Sequence, residues 1–224
     1  MRAMILAAGR GERMRPLTDH LPKPLLVVGG QPLIVHHLKA LQQAGIRNVV
    51  INHAWLGHKI EAELGDGHSF GLQIQYSAEG QTGLETAGGI RLALPLLGHE
   101  PFMVINGDVL TDYPLTALQN ALMPGRSAHL VLVPNPLQHP LGDFALQNGQ
   151  ALVDGDTKFT FSGIAIYRPE FFRDVPSGAQ KLAPFLRAAM LKGEVSAELY
   201  QGYWADIGTP QRLAEADQRF CKRS

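Results

Sequence analysis

Between residues 2 and 133 the chain alternates short apolar runs with amphipathic stripes, and this alternation constrains its fold more than any other feature. Residues 2–8 have the length and flanks of a buried strand that runs into Gly9. Ile34, Leu38 and Leu41 recur at helical spacing over residues 33–44, and Gly45 follows as a stop. A β-branched strand at 47–52, a helix at 57–64 and an alternating strand at 72–76 continue the pattern. Helices at 84–97 and 115–122 then alternate with strands at 101–106 and 128–133. Strand–helix alternation of this kind predicts an α/β fold, a Rossmann-like, mostly parallel sheet flanked by helices and joined by right-handed crossovers. From Asp143 the pattern changes. Short segments at 144–147, 151–153 and 158–167 surround Asn148-Gly149 and Asp154-Gly155, both hairpin signals, and predict a small antiparallel insertion. A helix over 182–191, a strand over 196–200 and an amphipathic helix near the C-terminus complete the expected order.

Composition narrows the function. Among 224 residues 45% are hydrophobic, enough for one compact core. Twenty basic and twenty acidic residues cancel, which argues against a nucleic-acid or anionic-membrane partner. The apolar stretch Met4–Ala8 is shorter than a secretory signal core, and no run approaches the length of a membrane span. A lone Cys221 excludes an internal disulfide and suits a reducing, cytoplasmic compartment. A monomer or weak dimer is expected.

The chemistry concentrates in Leu6–Leu26, LAAGRGERMRPLTDHLPKPLL. Arg2, Arg10, Arg13, Arg15 and Lys23 face only Glu12 and Asp19 over the first 25 residues, a phosphate-sized positive patch in a neutral chain. Glycines let the backbone approach a ligand and turn its N–H groups inward at the C-terminal edge of a parallel sheet. The dinucleotide fingerprint fails because Met14 stands where its third glycine is needed, and no P-loop string occurs. A second constellation, Phe102–Asp108, is an apolar strand with a carboxylate at its tip, placed for Mg²⁺ or for capping a turn. His36, His37, His53, His58 and His68 lack zinc-ligand spacing. Asp154-Gly155-Asp156 reads as a turn rather than a metal-binding D-x-D, and Ser162-Gly163 lies outside any nucleophile elbow.

The strings Leu6–Thr18 and Pro22-Lys23-Pro24 resemble the signature of the sugar-1-phosphate nucleotidyltransferases, L-A-A-G-x-G-x-R-x-x-P-L-T followed by P-K-P. The resemblance implies the nucleotide-diphospho-sugar transferase fold, with a nucleotide-binding core over 1–135, a sugar-binding part over 136–200, and a metal-ligand segment with closing helix over 201–224. It implies that Ala8, Gly9, Gly11 and Glu12 wrap a nucleoside triphosphate. Arg13 would steady the phosphates that leave as pyrophosphate, and Lys23 would bridge phosphate oxygens at the reacting centre. Asp108 matches the family's first Mg²⁺ ligand, and Asp206, in Trp204–Pro210 (WADIGTP), matches its second. Gly83, in GQTGLETAGG, would meet the base through its backbone, with Glu79 and Gln81 as further candidates. Asn106, Asp143 and Ser162 are the expected sugar contacts.

Two departures from the family pattern stand out. The E-K-P motif is missing from the sugar part, which leaves the usual sugar-phosphate lysine unassigned, with Lys158 a candidate to replace it, and no C-terminal β-helix follows, so no acetyl transfer is expected. The combination is most like the branch that couples UTP to N-acetylmuramate 1-phosphate in cell-wall sugar recycling, where a shortened lid leaves room for the lactyl group. A mannose- or glucose-1-phosphate enzyme using GTP or dTTP, and a non-catalytic nucleotide-sugar sensor, are the alternatives.

Overall fold

The computed structural model describes residues 1–221, and the side chain of Cys221, used above to assign a compartment, lies outside what is described. In chain order the elements are β1 (Arg2–Leu6), β2 (Val27–Val28), β3 (Gln31–Pro32), α1 (Leu33–Gln43), β4 (Asn48–His53), α2 (Gly57–Leu64) and β5 (Gln73–Ala78). There follow α3 (Glu85–Leu97), β6 (Phe102–Asn106), β7 (Val109–Thr111), α4 (Leu115–Leu118), β8 (Ala128–Val133), β9 (Phe144–Gln147) and β10 (Gln150–Leu152). The last are β11 (Lys158–Tyr167), α5 (Leu182–Leu191), β12 (Val195–Leu199), β13 (Trp204–Asp206) and α6 (Pro210–Cys221).

Nine strands form one sheet in the order β5-β4-β1-β6-β11-β8-β12-β10-β9. β1 pairs in parallel with β4 and β6, Met4 lying between Val50 and Val104. Such strands are buried on both faces, which is why they read as continuous apolar runs rather than as strict alternation. The period of two still sorts their side chains. Ala3 and Ile5 enter a core layer with Ile34, Leu38, Ile60 and Leu118 from α1, α2 and α4, whereas Met4 enters the opposite layer with Ile90, Leu97 and Leu186 from α3 and α5. Each of the buried Ile, Leu and Met side chains among these contributes about 1.5–3 kcal/mol of transfer free energy. A third, smaller cluster joins Met14, Val28, Leu33, Leu110, Ile207 and Ala216, and so ties the loop after β1 to β7 and α6.

The antiparallel segment does not stand apart. β11 runs antiparallel between β6 and β8, and β10 and β9 extend the sheet beyond β12. Asn148-Gly149 makes the expected tight turn, with φ of 50° and 74°. Asp154-Gly155 does not, because β9 pairs with both β10 and β11 and separates the two strands that this dipeptide joins. α4 ends at Leu118, earlier than its apolar stripe predicts: the chain turns back with Ala121 N–H bonded to the Leu118 carbonyl at 3.1 Å. Among the described residues no helix is long and apolar enough to cross a membrane.

Candidate active site

The C-terminal ends of β1, β4 and β6 open onto a cleft of about 780 Å³. The loop after β1 forms one wall, and its shape is set by Gly11, which sits at φ 69°. Thr18 Oγ donates to the Gly11 carbonyl at 2.8 Å, and a β-carbon at Gly11 would come within 3.0 Å of the Thr18 methyl, so the turn demands glycine. Met14 then anchors the loop in the third core cluster, leaving Arg13 exposed on the cleft wall. Arg13 makes no ion pair among the described residues.

Lys23 begins a short 3₁₀ turn between Pro22 and Pro24, whose fixed φ angles preset the backbone there. Its side chain is only 10% exposed, and Nζ donates to Asp108 at 2.6 Å. Asp108 lies just beyond β6, and Gly107 N–H bonds the Leu6 carbonyl at 2.8 Å, which locks the ends of β1 and β6 together. Asp206, remote in sequence, is carried to the same place by the β13–β7 ladder: Asp206 registers with Val109, and Ile207 N–H bonds the Asp108 carbonyl at 2.8 Å. The two carboxylates are an all-oxygen donor set, and among the described residues no cluster of three or more His, Cys, Asp or Glu side chains could hold a metal. A pair of this kind suits a hard divalent cation that fills its remaining positions with water and phosphate oxygens. Each carboxylate is also balanced by a cation, Asp108 by Lys23 and Asp206 by Arg212, both at 2.6 Å.

The opposite wall rests on a buried polar chain. Ala7 N–H donates to Asn52 Oδ1 at 2.8 Å, Asn52 Nδ2 donates to Glu79 Oε1 at 2.5 Å, and Leu84 N–H donates to Glu79 Oε2 at 2.6 Å. Glu79 therefore spends both oxygens in fixing the 80–84 loop, so Gly83, Gln81 and Thr82 line the cleft from a braced position. Gly89 makes room for this brace. A β-carbon there would sit 2.2 Å from Glu79 Oε1 and 3.0 Å from Asn52 Nδ2. Gly→Ala inside a helix ordinarily stabilises by about 1 kcal/mol. Gly89→Ala is instead expected to destabilise by about 1–3 kcal/mol and to weaken nucleotide binding, as read from the urea midpoint and a nucleotide titration; an unchanged midpoint would show that the brace is dispensable.

Asn52 and Trp55 also line the cleft, and Arg10 stacks over the Trp55 ring with its guanidinium 3.9 Å from the centroid. The sequence reading missed both Asn52 and Trp55. A buried Asn at the end of an otherwise apolar strand was the available signal for the first. Beneath the site, His37 is buried and its pKa is lowered to about 4, chiefly because burial disfavours the charged ring and secondly through His36, against an opposing pull from Asp108.

The structure thus brings together Ala8, Gly9, Gly11, Glu12, Arg13, Lys23, Gly83, Asn106 and Asp108 around one cleft, with Asp206 beside Gly208 at its edge. It does not bring Ser162 or Asp143 there. A register shift between Phe161 and Ile164 turns Ser162 inward, where it is 1% exposed, donates to the Val131 carbonyl at 2.6 Å and accepts from Ile164 N–H. Asp143 accepts from Phe161 N–H at 2.8 Å and contacts His139 at 3.1 Å, which pins the loop before β9. Lys158 pairs with Asp154 at 2.7 Å and likewise lies outside the cleft lining.

Comparison with known proteins shows the family. Residues 2–141 match the family model described as nucleotidyl transferase, and the chain belongs to this sugar-1-phosphate nucleotidyltransferase family. It is 56% identical over 223 residues to the N-acetylmuramate alpha-1-phosphate uridylyltransferase of Neisseria meningitidis, covering 96% of both chains. It is 33% identical to the protein of the same name from Caulobacter vibrioides, covering 98% of this chain and 97% of that one. Among solved structures, a Bacillus anthracis protein in complex with sucrose superposes with a TM-score of 0.87 at 23% identity, over 98% of this chain and 95% of that one, and shows the nucleotide-diphospho-sugar transferase fold.

Proposed function

We propose that this protein transfers a uridylyl group from UTP to N-acetyl-α-muramate 1-phosphate, giving UDP-N-acetylmuramate and pyrophosphate. The observation that carries the reading is the convergence of the glycine loop, Lys23 and Asp108 on one cleft. Two relatives that carry the same uridylyltransferase name over nearly their whole lengths support the substrate pair and disfavour the mannose, glucose and sensor alternatives. The supply of this sugar phosphate fits cell-wall sugar recycling in the cytoplasm.

The reaction needs little covalent chemistry from the protein. A sugar-phosphate oxygen attacks the α-phosphorus of UTP in line, the new P–O bond forms as the bond to the β-phosphate oxygen breaks, and pyrophosphate leaves. Positioning and charge stabilisation account for such a rate. Arg13 and the loop N–H groups would hold the leaving β- and γ-phosphates, Lys23 would face the reacting centre, and the braced loop at Gly83 would seat the base. Asp108 and Asp206 would hold Mg²⁺, which when bound offsets the charge of the phosphate oxygens. Asn106, at the end of β6, would meet the sugar; Ser162 and Asp143 would act behind it, by fixing the irregularity within β11 and the loop before β9.

Pyrophosphate release with Mg²⁺ tests the reading, with UTP, dTTP and GTP crossed against the 1-phosphates of N-acetylmuramate, N-acetylglucosamine, glucose and mannose. Turnover confined to UTP with N-acetylmuramate 1-phosphate is the expected result. Preference for another pair would discard the substrate, and silence with every pair would discard catalysis.

A further inference from the structure

Arg212 stands where a helix does not want it. Thr209 caps α6, accepting from Arg212 N–H at 3.3 Å, and the residue three past such a cap is characteristically Glu or Gln. A cation in the first helical turn is also disfavoured by the helix dipole. The side chain does not escape to solvent. It is 17% exposed, donates from Nη1 to Asp206 Oδ2 at 2.6 Å, and passes across Gly208, where a β-carbon would lie 2.5 Å from its Nη2. The same point lies 3.2 Å from Nη2 of Arg13 and 3.1 Å from Oδ1 of Asp206. Two guanidinium groups and one carboxylate therefore meet around a glycine that lines the cleft, and one positive charge is left uncompensated there.

We infer that Arg212 is a positioning residue that couples the second carboxylate to the triphosphate: it holds and neutralises Asp206 in the ligand-free protein, and moves to the terminal phosphates beside Arg13 when they arrive. The inference rests on the nucleotidyl-transfer reading and deepens it. A guanidinium fork suits either partner, since it binds carboxylate and phosphate oxygens in the same bidentate geometry. Asp206 becomes available to a divalent cation only after that exchange, so a cation engages both carboxylates together with the nucleotide and not before it.

The test uses direct binding. Mn²⁺ is titrated by electron paramagnetic resonance without nucleotide, and UTP and UMP are titrated by calorimetry without metal, for the wild-type protein, Arg212→Gln and Arg212→Lys. Arg212→Gln is expected to bind Mn²⁺ several-fold more tightly than wild type. It should bind UTP about tenfold more weakly, the loss of roughly one charge-assisted contact, with UMP affinity unchanged. Arg212→Lys keeps the charge but not the fork, so Mn²⁺ affinity should stay at the wild-type value while UTP affinity falls part of the way. Should Arg212→Gln fail to fold, the lysine variant's selective loss of UTP over UMP decides the matter. Equal weakening of UTP and UMP, or unchanged Mn²⁺ and UTP affinities, would overturn the coupling. A wild-type protein that binds neither nucleotide would overturn the nucleotidyl-transfer reading itself.

Discussion

Asp108→Asn is expected to lower turnover about a thousandfold while leaving the protein folded and able to bind UTP. The amide keeps the size of the carboxylate and still offers an oxygen to Lys23 Nζ, which Asp108 now accepts at 2.6 Å. The carboxylate is 35% exposed but its partner ammonium only 10%, so neutralising it costs roughly 1–3 kcal/mol, moderated by the hydrogen bond that the amide oxygen keeps. Chemistry suffers far more, because removal of a group that fixes charge at a reacting phosphate costs roughly 10²–10³ in rate. Metal-free binding should move the opposite way. Asp108 repels the incoming phosphates and occupies Lys23, so its neutral substitute should bind UTP several-fold more tightly without a divalent ion. Pyrophosphate release and calorimetry read the two effects separately. Turnover within tenfold of wild type would remove Asp108 from the reacting centre.

The legible part of the fold is the part written locally. β1, β4 and β6 are apolar on both faces because they lie inside a parallel sheet, and their runs announce it. The hairpin signals divide on this point. Asn148-Gly149 joins strands that pair with each other, whereas Asp154-Gly155 joins strands with β9 between them, a long-range fact that no dipeptide encodes. The site divides in the same way. Asp108 follows the end of β6 directly and Arg13 lies in the loop after β1, so spacing places them, while Lys23 sits well beyond β1 in a turn of its own, and Asp206 was identified only by resemblance and reaches the cleft through the β13–β7 ladder. Ser162 misled because a register shift inside β11, invisible in the string KFTFSGIAIY, turns it toward the Val131 carbonyl. Glu79 and Asn52 lie 27 residues apart and form one brace only after β4 and β5 pair. Arg212 was not singled out in the sequence, because its misfit depends on Thr209 capping α6 and its pairing with Asp206 on how β13 runs into that helix.

Lys23→Ala is expected to lower kcat/KM for UTP about a thousandfold, and its double variant with Asp108→Asn gives the more telling result. The lysine is held between prolines with its side chain 10% exposed, so its ammonium is aimed at the cleft at little further entropic cost. Truncation to alanine removes a cation from the phosphates and at the same time leaves the Asp108 carboxylate unbalanced, facing the triphosphate. The second effect is electrostatic repulsion and should appear in binding: without metal, Lys23→Ala should bind UTP at least tenfold more weakly than wild type. Adding Asp108→Asn removes the unbalanced charge, so affinity in the double variant should recover most of that loss although turnover stays low. Recovery larger than the several-fold gain that Asp108→Asn gives on its own is the non-additivity expected of two groups in direct contact. Lys23→Arg should not restore turnover, since a planar guanidinium fork cannot reproduce the point contact of a largely buried ammonium with Asp108 at 2.6 Å. Calorimetric UTP affinities for the four proteins of the cycle settle it. Single-variant effects that simply add would mean that Lys23 and Asp108 act on the nucleotide independently, and that their 2.6 Å contact plays no part in how the site receives it.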